Sequence, residues 1–233
     1  MGLNFGRDQE TLVPKRLDAI FQRSQAALVH SFPIRKTACG MWVPTPLPVI
    51  ARALGILANL GLLDAHTTRK ERRRSSPPAP ASTTERLVVD AGAGDGRVAA
   101  LLTRFDQTRT IYAIERDAAL YVQAQTNFDQ LRADKLLDTT RLRLLDADYL
   151  DRQTYTDCGF AFHQVGLVFN YPDGNEARLA EFVEKWAGPA TNLCLLTHNR
   201  ALSLDRLYLR AQADVEVVDE ENWLLSVYGT RGA

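Results

Sequence analysis

Residues 87–98 read LVVDAGAGDGRV. An apolar run ends on an acid, Asp90, and three glycines follow at every second position (Gly92, Gly94, Gly96). Val98, Ala99, Leu101 and Leu102 then begin at helical spacing. A strand, a tight turn and a helix in direct succession satisfy that pattern. Glycine adopts backbone angles closed to other residues and lets a ligand lie against the main chain.

The chain beyond it repeats the alternation. Residues 110–114 form the next apolar run, 118–131 a helical stretch and 141–145 a third strand. A fourth strand falls at 165–170, with 160–163 as the competing choice. Leu179, Phe182, Val183 and Trp186 make a helical stripe, with Asp173 and Asn175 as candidate caps and Gly188-Pro189 as its stop. Residues 192–197 read as a fifth strand, and 215–218 and 223–228 as two strands joined by a turn at 219–222. Alternating β and α units specify a doubly wound, mostly parallel seven-stranded sheet with an antiparallel C-terminal hairpin.

Upstream, residues 8–30 carry a rough helical stripe (Leu17, Ile20, Phe21, Ala27, Leu28), and a second helix runs from near Pro46 to Gly61. Thr45 before Pro46 suits a helix entry, because proline at the first helical position loses no needed donor. Residues 66–85, HTTRKERRRSSPPAPASTTE, pass from a basic cluster into Ser, Pro, Ala and Thr and offer little apolar surface to bury. The expected organisation is an N-terminal helical segment at 1–65, a flexible basic and Pro/Ser loop at 66–85, and a cofactor-binding core at 86–233. Lys plus Arg and Asp plus Glu number 28 each, so no global field favours nucleic acid or an anionic membrane. The basic loop is the one local patch for such a contact.

The acids around the glycines speak to the ligand. Glu115 closes the second strand, and an acid about 20 residues past a Gly-rich turn suits a ribose, one hydroxyl to each oxygen. A dinucleotide-binding turn is the rival, but its fingerprint is GxGxxG, whereas this turn is Gly92-x-Gly94-x-Gly96. Asp90 at the turn would also repel a pyrophosphate. A ligand with an ammonium, a sulfonium, a ribose and an adenine fits both acids: S-adenosylmethionine.

In these residues, from about residue 87 to the C-terminus, the sequence resembles the class I S-adenosylmethionine-dependent methyltransferases, whose first motif stands here as DAGAGDG. The resemblance implies a Rossmann-like fold, Asp90, Gly92, Gly94 and Gly96 at the methionine end of S-adenosyl-L-methionine, and Glu115 at its ribose. It implies an acid at the adenine amino group. Asp148 fits the family step, and Asp146 stays open. The fourth strand should end beside the methyl group, where Asn170-Tyr171-Pro172-Asp173 keeps part of an Asn/Asp-Pro-Pro-aromatic motif, with Tyr171 in the first proline position. Asn170 would accept a hydrogen bond from a substrate amine, and Tyr171 would face the sulfonium.

Trp42-Val43-Pro44-Thr45-Pro46 adds a similarity to the small protein-lysine N-methyltransferases, archaeal and of the mitochondrial ATP synthase c-subunit type. There this segment folds over the cofactor, which places Thr45 among the cofactor-binding residues. The implied acceptor is a protein lysine. A small-metabolite or nucleic-acid methyltransferase and a non-catalytic cofactor-binding module are the alternatives.

Cys39, Cys158 and Cys194 are scattered and odd in number, which speaks against a disulfide framework or a zinc site and for a reducing compartment. His163 and His198 are read as surface or core residues, and no metal is expected. The sequence opens without a basic region followed by an apolar run, and no apolar stretch reaches membrane-spanning length. A cytoplasmic location follows as the expectation.

Overall fold

The computed structural model describes residues 13–28, 35–37, 40–64, 87–138, 140–171, 173–198, 202–204, 207–217 and 223–230. Helix α1 (Lys15–Leu28) precedes a two-stranded antiparallel hairpin, β1 (Arg35–Thr37) and β2 (Gly40–Trp42), and then helix α2 (Leu47–Asn59). The alternating part follows as β3 (Leu87–Ala91), α3 (Arg97–Phe105), β4 (Ile111–Glu115), α4 (Ala118–Ala133), β5 (Leu142–Asp146), α5 (Arg152–Asp157), β6 (Val165–Asn170), α6 (Glu176–Trp186), β7 (Asn192–His198), β8 (Leu207–Asp214) and β9 (Trp223–Thr230). The expected basic loop at 66–85, the turn at 219–222 and Cys39 lie outside the described residues.

Strands β3 to β9 make one seven-stranded sheet in the order β5-β4-β3-β6-β7-β9-β8. Pairings from β5 through β7 are parallel, and β9 is antiparallel to both β7 and β8. The chain builds outward from β3 to β5 and then returns to the other side of β3 with β6. The carboxyl ends of β3 and β6 therefore flank a topological switch point, where open α/β sheets bind ligands.

Two apolar clusters sandwich the sheet. On one face Val88, Leu167, Phe169 and Leu225 pack with Leu17, Phe21, Leu54 and Leu101 from α1, α2 and α3. On the other Leu87, Val89, Val168 and Leu195 pack with Tyr155, Leu179, Phe182 and Val183 from α5 and α6. All five residues of β3 are buried, as expected of a central strand covered on both sides. The N-terminal helices thus complete the core on one face.

The fourth strand is 165–170, and residues Phe162–Gln164 form a 3₁₀ turn ahead of it. Pro46 itself occupies the cap position of α2, with Leu47 and Pro48 in its first turn, so Thr45 sits one residue outside the helix. The strand expected at 215–218 is displaced: the outer hairpin strand is β8, at Leu207–Asp214. Its register slips between Leu209 and Ala211, and Tyr208 and Leu209 are exposed on the sheet edge. That bulge breaks the two-residue alternation by which a half-buried strand is recognised. No helix among the described residues is long and apolar enough to cross a membrane.

Candidate functional site

The turn after β3 is held by the strand beside it, because the N–H groups of Gly92 and Ala93 both donate to the carbonyl of Ile114, at 3.0 Å each. Gly94 and Gly96 have φ of 60° and 85°, and close approach adds a second requirement for glycine. A Cβ on Gly94 would collide with the Trp42 indole, and one on Gly96 would stand 2.5 Å from the Phe128 ring. Gly92, by contrast, lines an open cavity.

Beneath the turn lies a buried ion pair. Asp95 and Arg97 are joined twice, Nε to Oδ1 at 2.9 Å and Nη2 to Oδ2 at 2.8 Å, with side chains 0% and 6% exposed. Arg97 Nη1 also donates to the Thr45 carbonyl at 2.9 Å, and its guanidinium lies between the Phe21 and Trp42 rings. The Ser24 hydroxyl donates to Asp95, and the Asn127 amide donates to the Asp95 carbonyl and to Ser24. A bidentate pair with its remaining donors and acceptors filled is the form in which buried charge is tolerated. It ties α1, the Trp42–Pro46 stretch and α4 to the glycine turn. Thr45 therefore meets the site through its main chain.

The cavity beside Gly92 measures about 330 Å³, at the lower end of the range for small-molecule sites. Its walls include Trp42, Glu115, Asp148, Tyr149 and Asp173. Glu115 is buried. Its Oε2 accepts the Gly94 N–H at 2.7 Å, and Oε1 accepts the N–H groups of Arg116 and Asp117 at 2.9 and 2.7 Å. Burial nevertheless raises its pKa above the ordinary range. A carboxylate offers about four acceptor sites. Three are occupied, which leaves Oε2 with room for one hydroxyl where the sequence suggested a grip on two. Asp148 Oδ2 meets Arg116 at 2.8 Å at the cavity mouth, and its Oδ1 accepts the Leu150 N–H. Asp146 ends β5 on the exposed surface and does not line the cavity.

Asp90, Asn170 and Tyr171, expected in the site, do not line this cavity. Asp90 is buried on the α3 side of β3. The Ala99 N–H assists it, but Oδ2 has no partner among the described residues, and burial pushes its pKa up to about 8. Asn170 ends β6 fully buried: its Nδ2 donates to the Ala91 carbonyl at 2.8 Å, and its Oδ1 has no partner among the described residues. Tyr171 turns toward β9, its ring centroid 5.9 Å from that of Trp223, and is not among the lining residues.

Tyr149 and Asp173 were not singled out for chemistry in the sequence. The Tyr149 hydroxyl donates to Asp173 Oδ2 at 2.7 Å. Asp173, expected as a helix cap, instead accepts the Asn175 N–H on Oδ1 at 3.0 Å and stays in the loop beside Gly92. Its position three residues past the end of β6, at the switch point, was the available signal. Among the described residues no group of His, Cys, Asp and Glu could hold a metal ion.

No protein-family model matches the chain, and no curated protein matches it. Solved structures match its fold. An RNA methyltransferase from Salinibacter ruber, crystallised with S-adenosyl-L-homocysteine, superposes with a TM-score of 0.53 at 16% identity, covering 81% of this chain and 94% of that one. The Escherichia coli protein yhhF, which bears a provisional methyltransferase name, superposes at 0.50 and 15%, covering 79% and 85%. The likeness is one of fold: this chain has the Rossmann-like architecture of the class I methyltransferases.

Proposed function

We propose that this protein is an S-adenosylmethionine-dependent methyltransferase. The observation that carries the reading is the cavity at the switch point, with Gly92 as its floor and Glu115 and Asp148 toward one side. Two buried oxygens without donors among the described residues, Asp90 Oδ2 and Asn170 Oδ1, stand behind that lining at the ends of β3 and β6, where N–H groups of a cationic ligand and of its acceptor would satisfy them. The residues present thus fit a sulfonium nucleoside with an amino-acid tail.

The bound cofactor would supply an electrophilic methyl group. The protein's share is positioning and the exclusion of water. Glu115 takes one ribose hydroxyl on Oε2 while its other contacts keep the glycine turn in place. Asp148, already oriented by Arg116, takes the adenine amino group. Asn170 is fixed by its bond to Ala91 and presents Oδ1 toward an N–H of the acceptor. The finer reading, a protein lysine as acceptor, rests on the Trp42–Pro46 stretch, whose indole covers Gly94 and whose main chain holds Arg97.

Titration calorimetry with S-adenosylmethionine and S-adenosylhomocysteine tests the cofactor. A chain that binds neither defeats the proposal. Incubating the protein with methyl-labelled cofactor and fractionated lysate tests the acceptor: label in protein supports lysine, whereas label confined to RNA or small molecules rejects it. Cofactor binding without transfer to any fraction identifies a non-catalytic module.

A further inference from the structure

Asp173 is the cavity acid that the cofactor reading leaves unused, and its surroundings are built rather than incidental. The Met41 N–H donates to the Asp173 carbonyl at 3.0 Å, and a Cβ on Gly40, where φ is 146°, would come within 2.6 Å of that same oxygen. The β1–β2 hairpin therefore clamps the Asp173 main chain from above. The side chain is fixed from two further directions: Tyr149 donates to Oδ2, and Asn175 donates to Oδ1 through both its N–H and its Nδ2, at 3.0 and 3.2 Å. Counting four acceptor sites on a carboxylate, one is left, and it belongs to Oδ2. That oxygen lies 3.5 Å from the Cβ position of Gly92, on the cavity side of the turn.

No ion pair is formed to Asp173 among the described residues, in contrast to Asp148 at the other side of the cavity, which is neutralised by Arg116. An oriented carboxylate without a cation, at the carboxyl end of β6, complements a positive group at the point of transfer. We propose that Asp173, held by Tyr149, is the acceptor-side anion of this site and that the acceptor is an amine, which Asp173 binds as the ammonium and deprotonates. The inference rests on the methyltransferase reading and names its substrate class. One proton passes from the ammonium to Asp173 Oδ2. The freed nitrogen lone pair then forms the N–C bond as the C–S bond breaks, and that electron pair stays on sulfur. The methylated ammonium leaves, and Asp173 returns its proton to water. Burial raises the Asp173 pKa, the direction a proton acceptor for an amine requires.

The test uses three ligands on the full chain by calorimetry: S-adenosylmethionine, S-adenosylhomocysteine, and sinefungin, in which an amine-bearing carbon replaces the methylated sulfur. Sinefungin thus presents an ammonium at the transfer position. The wild-type protein is expected to bind sinefungin about tenfold or more tighter than the uncharged thioether, the factor typical of one charge-assisted hydrogen bond. Asp173→Asn keeps the shape and removes the charge, and should abolish that preference while leaving S-adenosylhomocysteine affinity within about twofold. Tyr149→Phe leaves the charge in place but loosens it, and should retain part of the preference. Three results overturn the inference: no sinefungin preference in the wild type, a preference that survives in Asp173→Asn, or equal weakening of all three ligands by that variant. The last would assign Asp173 to the cofactor's own ammonium. Binding of none of the three by the wild type defeats the methyltransferase reading itself, so the two failures are distinguishable.

Discussion

The two ends of helix α3 handle their acids in opposite ways. At its C-terminal end, away from the site, Asp106 is fully buried and saturated. Arg109 donates to it through Nε at 2.7 Å, and the N–H groups of Asp64, Thr108 and Arg109 fill the remaining positions. Burial alone would raise its pKa, but the Arg109 side chain and these N–H donors prevail and hold it below the ordinary value. At the N-terminal end, Asp90 and Glu115 are buried with their pKa values raised, and the raised Asp173 stands nearby without an ion pair among the described residues. The Asp95–Arg97 pair beside them shows that the fold can neutralise an acid at this end too. Glu115 and Asp173 line the cavity, Asp90 lies buried behind it on the α3 side of β3, and none of the three forms an ion pair among the described residues. Such uncompensated acids carry a cost in stability that the other end of the helix does not bear.

That contrast is sharpest as a difference in pH dependence. Asp90 has a folded pKa of about 8 against an ordinary 3.8, so the native state binds more protons than the unfolded chain between those values. Its contribution is fully present below about pH 4 and is lost as pH rises to about 8, at up to about 1.4 kcal/mol per pH unit. Asp90→Asn should remove this slope, so that the variant gains on the wild type as pH rises from 5 to 8 in denaturant titrations. Asp106 has the opposite sign: its stabilisation is present above about pH 4 and disappears as pH falls through its lowered folded pKa. Equal slopes in wild type and Asp90→Asn would break the comparison at its first member.

Next in size is the loss of the saturated pair. Asp106→Ala leaves Arg109, itself only 14% exposed, without its partner and should cost about 3–5 kcal/mol of folding free energy. Cofactor affinity of the folded fraction should be unaffected. Glu115→Ala is expected to do the reverse, weakening S-adenosylhomocysteine binding by about 1.5–3 kcal/mol while costing less stability than Asp106→Ala. Calorimetry and melting on the same two variants separate the ends. A Glu115→Ala protein with wild-type affinity would remove the ribose assignment.

How much of this was legible beforehand depended on whether the signal was local. The strand, glycine turn and helix at 87–105 were readable because each of their requirements lies within a few residues. The helical stripe of α6 was readable for the same reason. The glycine pattern was legible while part of its cause was not. Gly94 and Gly96 make room for Trp42 and Phe128, which come from other parts of the chain. Arg97 reads as a surface residue of an amphipathic helix, yet 52 residues of sequence separate it from the Thr45 carbonyl that helps satisfy it in the interior. Tyr149 and Asp173 are 24 residues apart and meet only because β5 and β6 deliver their following loops to the same end of the sheet. The edge strand β8 was misplaced because a bulge interrupts its alternation, which pairing with β9 restores in space.

The smallest expected effect concerns Tyr171, which the family motif would turn toward the sulfonium. Its ring instead packs at a 54° tilt against Trp223, half-buried among residues of the α1–α2 face. A phenol hydroxyl partly withdrawn from water, with no hydrogen bond among the described residues, contributes little to stability, and burial raises its pKa. Tyr171→Phe should therefore change folding free energy by under about 0.5 kcal/mol and leave cofactor affinity within about twofold. Tyr171→Ala should cost more, about 0.5–1.5 kcal/mol beyond the area lost, because it removes the ring contact itself. The pair of variants separates packing from chemistry. If the phenylalanine variant bound S-adenosylmethionine tenfold more weakly yet melted like the wild type, the hydroxyl would have to act at the cofactor, and the side chain would have to leave Trp223 when the site fills.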